Sequence, residues 1–438
     1  MSPATATVSA HAGFGDGLEA AWKKAQPRLP GSDWMQPVRA EALARIIRQG
    51  LPGRREEWWK YADLASMRTA APPAVEAQAL VKRARPEWLA GLDLIEAELN
   101  QGLVVRLPAA DRLPDGFEVM RLADALAVPS LWLRPWMSPS QSVLDNLNLA
   151  FASDGLLVRV GRNTRIATPL LVNSRRNLAG TMAHDRGVIV LEDGASLTVI
   201  EVQDHAGSGE CLGTSRLNIS LGEGAHLRHV RVCTNGTGTI HVQEDSVELA
   251  RDAQYELVTL AKGGQLHRSQ FNVSLSGERA ACKLAAAFAV QPGEVTDFSS
   301  EVRHVAPNAV SRLLSKGTAR SGGRGVVQGR VCVEQAAQGT DSHQMARGLL
   351  IGEGGEIFHR PELEIYADDV KCGHGAATGA LDESQMFYLQ SRGIEEAEAR
   401  RMLLAAYFAP IVDSAPETLS AALSNWVDTH LLAEGKRS

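Results

Sequence analysis

The sequence predicts a mainly β chain, a solenoid of stacked coils flanked on both sides by helical regions, and three observations carry that reading. After Gly155 the hydrophobic period changes from near 3.6 to 2, in short β runs separated by glycine turns. Within those runs VLEDGASLTVIE, SLGEGAHLRHVRV, ELARDAQYELVTL and SLSGERAACKLAAAF can be laid over one another at Ala195, Ala225, Ala253 and Ala281, in steps of 30, 28 and 28 residues. After Gly379 helical spacing returns. Regularly spaced short strands without intervening helices argue for coils that bury their inner faces only by stacking on their neighbours. A β-helix or related β-solenoid follows. A large antiparallel sandwich also accommodates strands at this spacing, and four imperfect repeats leave it open.

The elements follow in order. From about residue 14 to 145 the apolar spacing is helical and punctuated by prolines, as in Val38, Leu43, Ile46 and Ile47 before Gly50-Leu51-Pro52-Gly53. Residues 1–145 read as an irregular helical domain. Inside it RREEWWKYADL, residues 54–64, crowds three aromatic rings into four positions and reads as a packing anchor. A charged segment, 82–98, and a proline-rich stretch, 129–139, follow, the latter resembling a linker. Residues 146–380 form the expected β core. Residues 381–438 return to helix: 394–412 carry one broad apolar face, and Leu419, Leu423, Trp426, Val427 and Leu431 repeat the pattern. Such helices need a surface to cover, either the open end of the solenoid or another protein.

Composition bounds the function. With 438 residues, 44% hydrophobic and 22% charged, the chain holds enough apolar residues for a sizeable core. A net charge of -6 and a pI near 6.1 argue against nucleic acid as the main ligand, which needs a broad basic face. The opening MSPATATVSAHAGFGDG lacks the basic and apolar regions of a secretory signal and reads as a frayed end. No apolar run approaches the roughly 18 residues that span a bilayer. A cytoplasmic location is expected, without membrane contact. Five cysteines, odd in number and without a CxxC pair, fit reduced thiols. There is no GxxxxGK[ST] loop, no GxSxG elbow and no HExxH, so nucleotide hydrolysis and the common hydrolase and zinc protease chemistries have no signature here.

The stretch PELEIYADDVKCGHGAATGALDESQMFYLQSRGI, residues 361–394, carries the chemistry. Glu362, Glu364 and Lys371 alternate with Leu363, Ile365, Val370 and Cys372, the pattern of two strands broken by a turn at Asp368-Asp369. Side chains two apart share a strand face, so Val370, Cys372 and His374 point the same way. A thiolate and a neutral imidazole both ligate iron, and Cys372 with His374 are the candidate metal ligands. Two donors do not close a site; the rest must come from a distant residue, a small molecule or a second protein. His226, His229, His343 and His359 read as ordinary surface or core residues. Asp382, with Gln385 three residues on, has the form of an N-cap opening a helix. The adjacent Asp368 and Asp369 admit a second function class, a β-helix carbohydrate-active enzyme using carboxylates for acid/base work.

A family resemblance attaches to these residues. ELEIYADDVKCGHGAATGALDESQMFYLQSRGIEEAEARRMLLAAYF, residues 362–408, closely resembles the C-terminal signature of the SufB/SufD iron-sulfur cluster assembly proteins, in its SufD branch. His304-Val305-Ala306-Pro307, Ser311-Arg312, Ser315-Lys316-Gly317 and Leu349-Leu350-Ile351-Gly352 look like the core of the same family, so the likeness covers at least 295–412; EEWWKYADL is similar to a short N-terminal SufD segment. The resemblance implies a right-handed parallel β-helix with helical flanks, in a complex with SufB and the ABC-type ATPase SufC. It implies a non-enzymatic subunit that binds no nucleotide, pairs with SufB through the β-helix, docks SufC through the C-terminal helices, and shares iron or a nascent cluster with SufB. Whether the chain alone forms a homodimer is left open by the sequence, and a purely structural partner of SufB is the alternative version of the role. The family's SufD histidine, in its KCSHG motif, falls on His374 and the neighbouring cysteine on Cys372, with Gly373 in place of the usual serine. The sulfur-accepting cysteine of SufB falls on Ala346, and the His-Glu pair of SufB on His374-Gly375; both departures point to the SufD branch.

Overall fold

The computed structural model describes residues 16–31, 33–69, 85–128, 133–176, 180–205 and 211–432. The expected frayed start, part of the charged segment (82–84) and the first residues of the proline-rich linker (129–132) lie outside them.

Among the described residues the strands form two interleaved sheets, and from Leu156–Val160 onward successive strands alternate between them. The ten-stranded sheet runs, from its free edge, Val370–Gly379, Thr340–Ile351, Val310–Arg320, Ala281–Val290, Gln254–Gly263, His226–Asn235, Ser196–His205, Leu170–Arg175, Ile95–Asn100 and Leu103–Arg106. The nine-stranded sheet runs Glu356–Ile365, Arg324–Val333, Val295–His304, Leu266–Leu275, Thr239–Leu249, Cys211–Leu221, Thr181–Leu191, Leu156–Val160 and Phe117–Arg121. Pairing is parallel throughout, apart from one antiparallel strand at the far edge of each sheet. This is a parallel β-solenoid, and it removes the antiparallel sandwich. The strands Ile95–Asn100, Leu103–Arg106 and Phe117–Arg121 lie in the stretch read as helical; they extend both sheets and cap the first coils.

The repeat has a physical basis at one corner. Asn163, Gly194, Gly224, Asp252, Arg279, Asn308 and Gly339 all take a left-handed backbone, with φ between 56° and 73°. Each donates its N–H to a carbonyl of the next coil: Gly194 to Glu223 at 2.8 Å, Gly224 to Arg251 at 2.9 Å, Asp252 to Glu278 at 3.0 Å, Asn308 to Gln338 at 2.8 Å. A fully buried alanine follows at 195, 225, 253, 280 and 309. The fourth repeat position is therefore Ala280, one residue before the expected Ala281, because Ala281 pairs with Gln254 and not with Ala253. Gly194 and Gly339 are needed for a second reason: a Cβ there would stand 2.3 Å from the side-chain oxygen of Asn163 or Asn308 in the coil before.

Both sheets are covered on their outer faces as well, as fully parallel sheets require. Over the nine-stranded sheet, the helices Met35–Gln49 and Val143–Phe151 pack on Met182, Val188, Leu212, Ile240, Val242 and Leu266. Over the ten-stranded sheet, the C-terminal helices Glu396–Val412 and Glu417–His430 bury Leu404, Phe408, Leu419, Leu423 and Trp426 against Ile200, Val230, Val258, Leu260 and Ala287. The apolar face read from Leu419 to Leu431 is thus real, and its cover is the flank of the chain's own sheet. Each such side chain contributes about 1.5–3 kcal/mol by leaving water.

Candidate functional site

The last coil consists of the strands Glu356–Ile365 and Val370–Gly379, joined by a turn at 366–369 as the alternation predicts. Each pairs on one side only, with Arg324–Val333 and Thr340–Ile351 respectively, so both sheets present a free backbone edge at this end. The turn is anchored by Gly339 N–H donating to the Asp369 carbonyl at 2.7 Å and by Asp369 N–H donating to Gln338 Oε1 at 2.9 Å. Asp368 and Asp369 are exposed in it, and it is the backbone of Asp369 that makes these contacts.

Cys372 pairs in register with Ser342, and His374 with Gln344. Val370 and Cys372 pack against the inner core, as their shared parity demands, with Cys372 half-buried. Burial pushes the Cys372 thiol up from its usual range, so the chain by itself holds it as the neutral thiol. His374 is exposed. It borders a cleft of about 420 Å³ lined also by Lys283, Leu313, His343, Met345 and Ser414. Gly373 and Gly375 make room for the preceding strand: a Cβ on Gly373 would lie 3.3 Å from His343 Nδ1, and one on Gly375 2.8 Å from Met345 Cε. The glycine standing where the related motif has serine is thus matched to His343 beside it. No three histidine, cysteine or acidic side chains among the described residues converge to hold a metal. Cys372 and His374 are two donors, one fewer than such a group needs.

The other histidines divide by partner. His226 meets Glu256 at 3.2 Å, His229 meets Glu201 at 3.1 Å and Tyr255 Oη at 3.2 Å, and His343 meets Asp341 at 3.3 Å. His359, read as ordinary from the sequence, is different. It lies on the last strand of the nine-stranded sheet between Ile357 and Leu363, both packed inward, and its buried ring nitrogens meet no side-chain partner, only the backbone of Ala377 on the other terminal strand. Its parity with Leu363 was the signal available in the sequence.

Beside the last coil the helix Glu383–Ser391 begins at Asp382, whose carboxylate accepts from Ser384 N–H at 2.8 Å and Gln385 N–H at 3.2 Å. The helix buries no residue, and Phe387 and Tyr388 are 72% and 57% exposed. Two large rings adjacent in the chain therefore stand in solvent. No helix among the described residues is long and apolar enough to cross a membrane.

Comparison with known proteins agrees with this geometry. The family model described as SUF system FeS cluster assembly, SufBD core domain, matches residues 172–407, the stretch that holds most of the coils and both candidate ligands. The chain is 29% identical over 382 residues to the iron-sulfur cluster assembly protein SufD of Escherichia coli K12, covering 86% of this chain and 88% of that one. It is 26% identical over 386 residues to a SufBD family protein of Synechocystis, covering 84% of each, and 24% identical over 399 residues to the chloroplastic protein ABCI7 of Arabidopsis thaliana, covering 87% and 83%. A solenoid whose matched core fills more than half the chain, and full-length relatives of this kind, place it: the chain belongs to the SufBD family of iron-sulfur cluster assembly proteins.

Proposed function

We propose that this chain is a SufD-like, non-enzymatic subunit of a cytoplasmic cluster-assembly complex. It pairs with a SufB-like subunit at the open end of the solenoid and presents His374, with Cys372 beside it, to iron or a nascent iron-sulfur cluster as cargo. The observation that carries the reading is the free edge strand Val370–Gly379, which holds both donors where a second solenoid would complete the pairing. The chain supplies two donors and the partner the remainder. His374 stands exposed at the edge, whereas Cys372 needs displacement from its half-buried position and must release its proton to water as the metal binds its sulfur.

The three regions, 1–145, 146–380 and 381–438, divide the work in this proposal. The core offers the end face, the exposed helix carrying Phe387 and Tyr388 receives a SufC-like ATPase, and the N-terminal domain supports the nine-stranded sheet. This chain then binds no nucleotide itself, and the chain alone self-associates through the same edge. The test is anaerobic co-expression with SufB-like and SufC-like subunits, comparing wild type with His374→Ala. Bound iron and sulfide fall while the complex stays whole; unchanged iron, sulfide and activity in an intact complex sink the ligand role. Cys372→Ser in the same series shows whether the thiol ligates or only packs.

A further inference from the structure

The aromatic segment, residues 54–64, lies over the outer face of the nine-stranded sheet and reaches its last strand through Tyr61. The Tyr61 ring stacks on Phe358 with centroids 4.4 Å apart and planes 18° from parallel. The Trp58 ring lies under the guanidinium groups of Arg330, at 5.0 Å, and Arg360, at 6.0 Å. Glu57 forms an ion pair with Arg360, and Gln328 Nε2 donates to the Trp58 carbonyl at 3.3 Å. Arg268 covers Trp59 at 4.2 Å. These partners form a patch and not a scatter: Arg268, Asp297, Val326 and Phe358 occupy one in-register row, and Ser299, Gln328 and Arg360 the next. On both sides the segment is rooted in the N-terminal helical cluster, through Leu51 before it and Ala62, Leu64 and Met67 after Tyr61.

Phe358 and Arg360 are the two neighbours of His359. The outward side chains on either side of this histidine are therefore gripped by the aromatic segment, while His359 itself turns inward toward the backbone of Ala377 on the other terminal strand, with no side-chain partner. The strand that carries them has no other neighbour on its free side and buries none of its residues fully. By contrast the Val370–Gly379 strand is left largely exposed. One terminal strand is held and the other is bare.

We propose that Glu57, Trp58 and Tyr61 are positioning residues for the end face: they brace the Glu356–Ile365 strand from outside and thereby fix His359 and the bare His374 strand in the geometry that a partner meets. The part of this inference that concerns a partner rests on the proposed function, whereas the brace is a property of this chain alone. Removing the ring stack and the cation–π contacts frees the strand to open locally without unfolding the solenoid, since local opening follows local contacts.

Hydrogen exchange on the full chain tests it. In Trp58→Ala/Tyr61→Ala the amides of residues 356–365 exchange about tenfold faster, those of 370–379 follow, and those of the central strand Gln254–Gly263 keep their wild-type rates. Tyr61→Phe, which keeps the ring, restores protection. Unchanged exchange at 356–365 overturns the brace, and so does a uniform rise that includes 254–263, because that is general destabilisation. In the co-expressed complex the double variant loses about tenfold in affinity for the SufB-like subunit. Exchange that rises with affinity unchanged overturns the positioning role. Wild type that fails to bind the SufB-like subunit at all overturns the proposed function instead, and leaves the exchange result to decide the brace.

Discussion

Arg231 donates from Nη1 to Asp245 Oδ2 at 2.6 Å across the interior of the solenoid, and both side chains are wholly sealed from solvent. Arg231 Nε also donates to Glu201 Oε2 at 2.8 Å, while Gln243 Nε2 donates to Asp245 Oδ1 at 2.6 Å. Burial opposes charge on Glu201, yet Arg231 and His229 hold its carboxyl well below the usual range. A guanidinium shared between two carboxylates ties the two sheets together with direction as well as attraction.

Breaking that arrangement from one side leaves a buried charge uncompensated. Asp245→Ala is expected to cost about 3 kcal/mol, because Glu201 still neutralises part of Arg231. Urea unfolding measures it. Replacing Arg231 and Asp245 together by apolar residues costs less than the single change, a non-additivity that a double-mutant cycle reads directly.

Acid weakens the fold from the histidine side first. Burial drives His184 and His267 down to about 3 and His304 to about 4, and holds His205 and His241 well below 6.5, with Arg176 or Arg231 adding to the shift in all but His304. The unfolded chain binds protons on these rings below about pH 6.5 and the folded chain does not, so stability falls as pH drops from there, by roughly 1.4 kcal/mol per ring per pH unit. Glu244 and Glu294, raised by burial, run the other way above their ordinary range and offset a part. Below about pH 4.5 the carboxylates held low, Glu201 and Asp145, add their own loss. Urea midpoints measured from pH 7 to pH 5 should decline, and His267→Gln should flatten the slope.

The Phe288 ring lies over two glycines, Gly317 and Gly325: a Cβ on the first would come 2.1 Å from the ring, and on the second 2.3 Å. Gly317→Ala is expected to cost about 1–3 kcal/mol by overpacking. Phe288→Leu should recover part of that loss in the double variant, measured by thermal unfolding.

Tyr407 ties the helix Glu396–Val412 to the ten-stranded sheet, its hydroxyl donating to the Arg347 carbonyl at 2.7 Å and lying 3.2 Å from that of Gly317, while Lys316 Nζ donates to the Tyr407 carbonyl at 2.6 Å. Tyr407→Phe removes the hydroxyl contacts at a cost of about 1 kcal/mol. Exchange of amides in 396–412 should rise with it.

Much of this architecture is legible in the residues. Period two after Gly155 and the recurring Ala195, Ala225 and Ala253 report a real corner, because a left-handed turn residue recurs there and in five of the seven cases a buried alanine follows it. Ala280 and Ala281 are adjacent and equally small, so pattern alone had no means of choosing between them; only the strand register does. Ile95–Asn100 does alternate, with Ile95, Ala97 and Leu99 against Glu96, Glu98 and Asn100, but it is a short run overlapping a charged stretch, and Glu98 is buried against expectation. The amphipathic faces of the last two helices were visible, but what they cover was not, since that depends on Ile200, Val230 and Val258 facing outward. The turn at Asp368-Asp369, the Asp382 cap and the inward set of Cys372 all follow from local alternation and capping. His359 did not, because its importance lies in what touches Phe358 and Arg360, residues some three hundred positions away from Trp58 and Tyr61.

The aromatic segment has one more consequence. Because it is rooted over the middle coils and closes on the last one, its span is a gauge of how many coils the chain can have. Each added coil would carry Phe358 about 4.8 Å further along the stack. A solenoid ordinarily tolerates gain or loss of repeats, since each contacts only its neighbours. Here the tether converts an open-ended array into an object of set length, and a duplicated or deleted coil would be felt at once as an unstacked Tyr61.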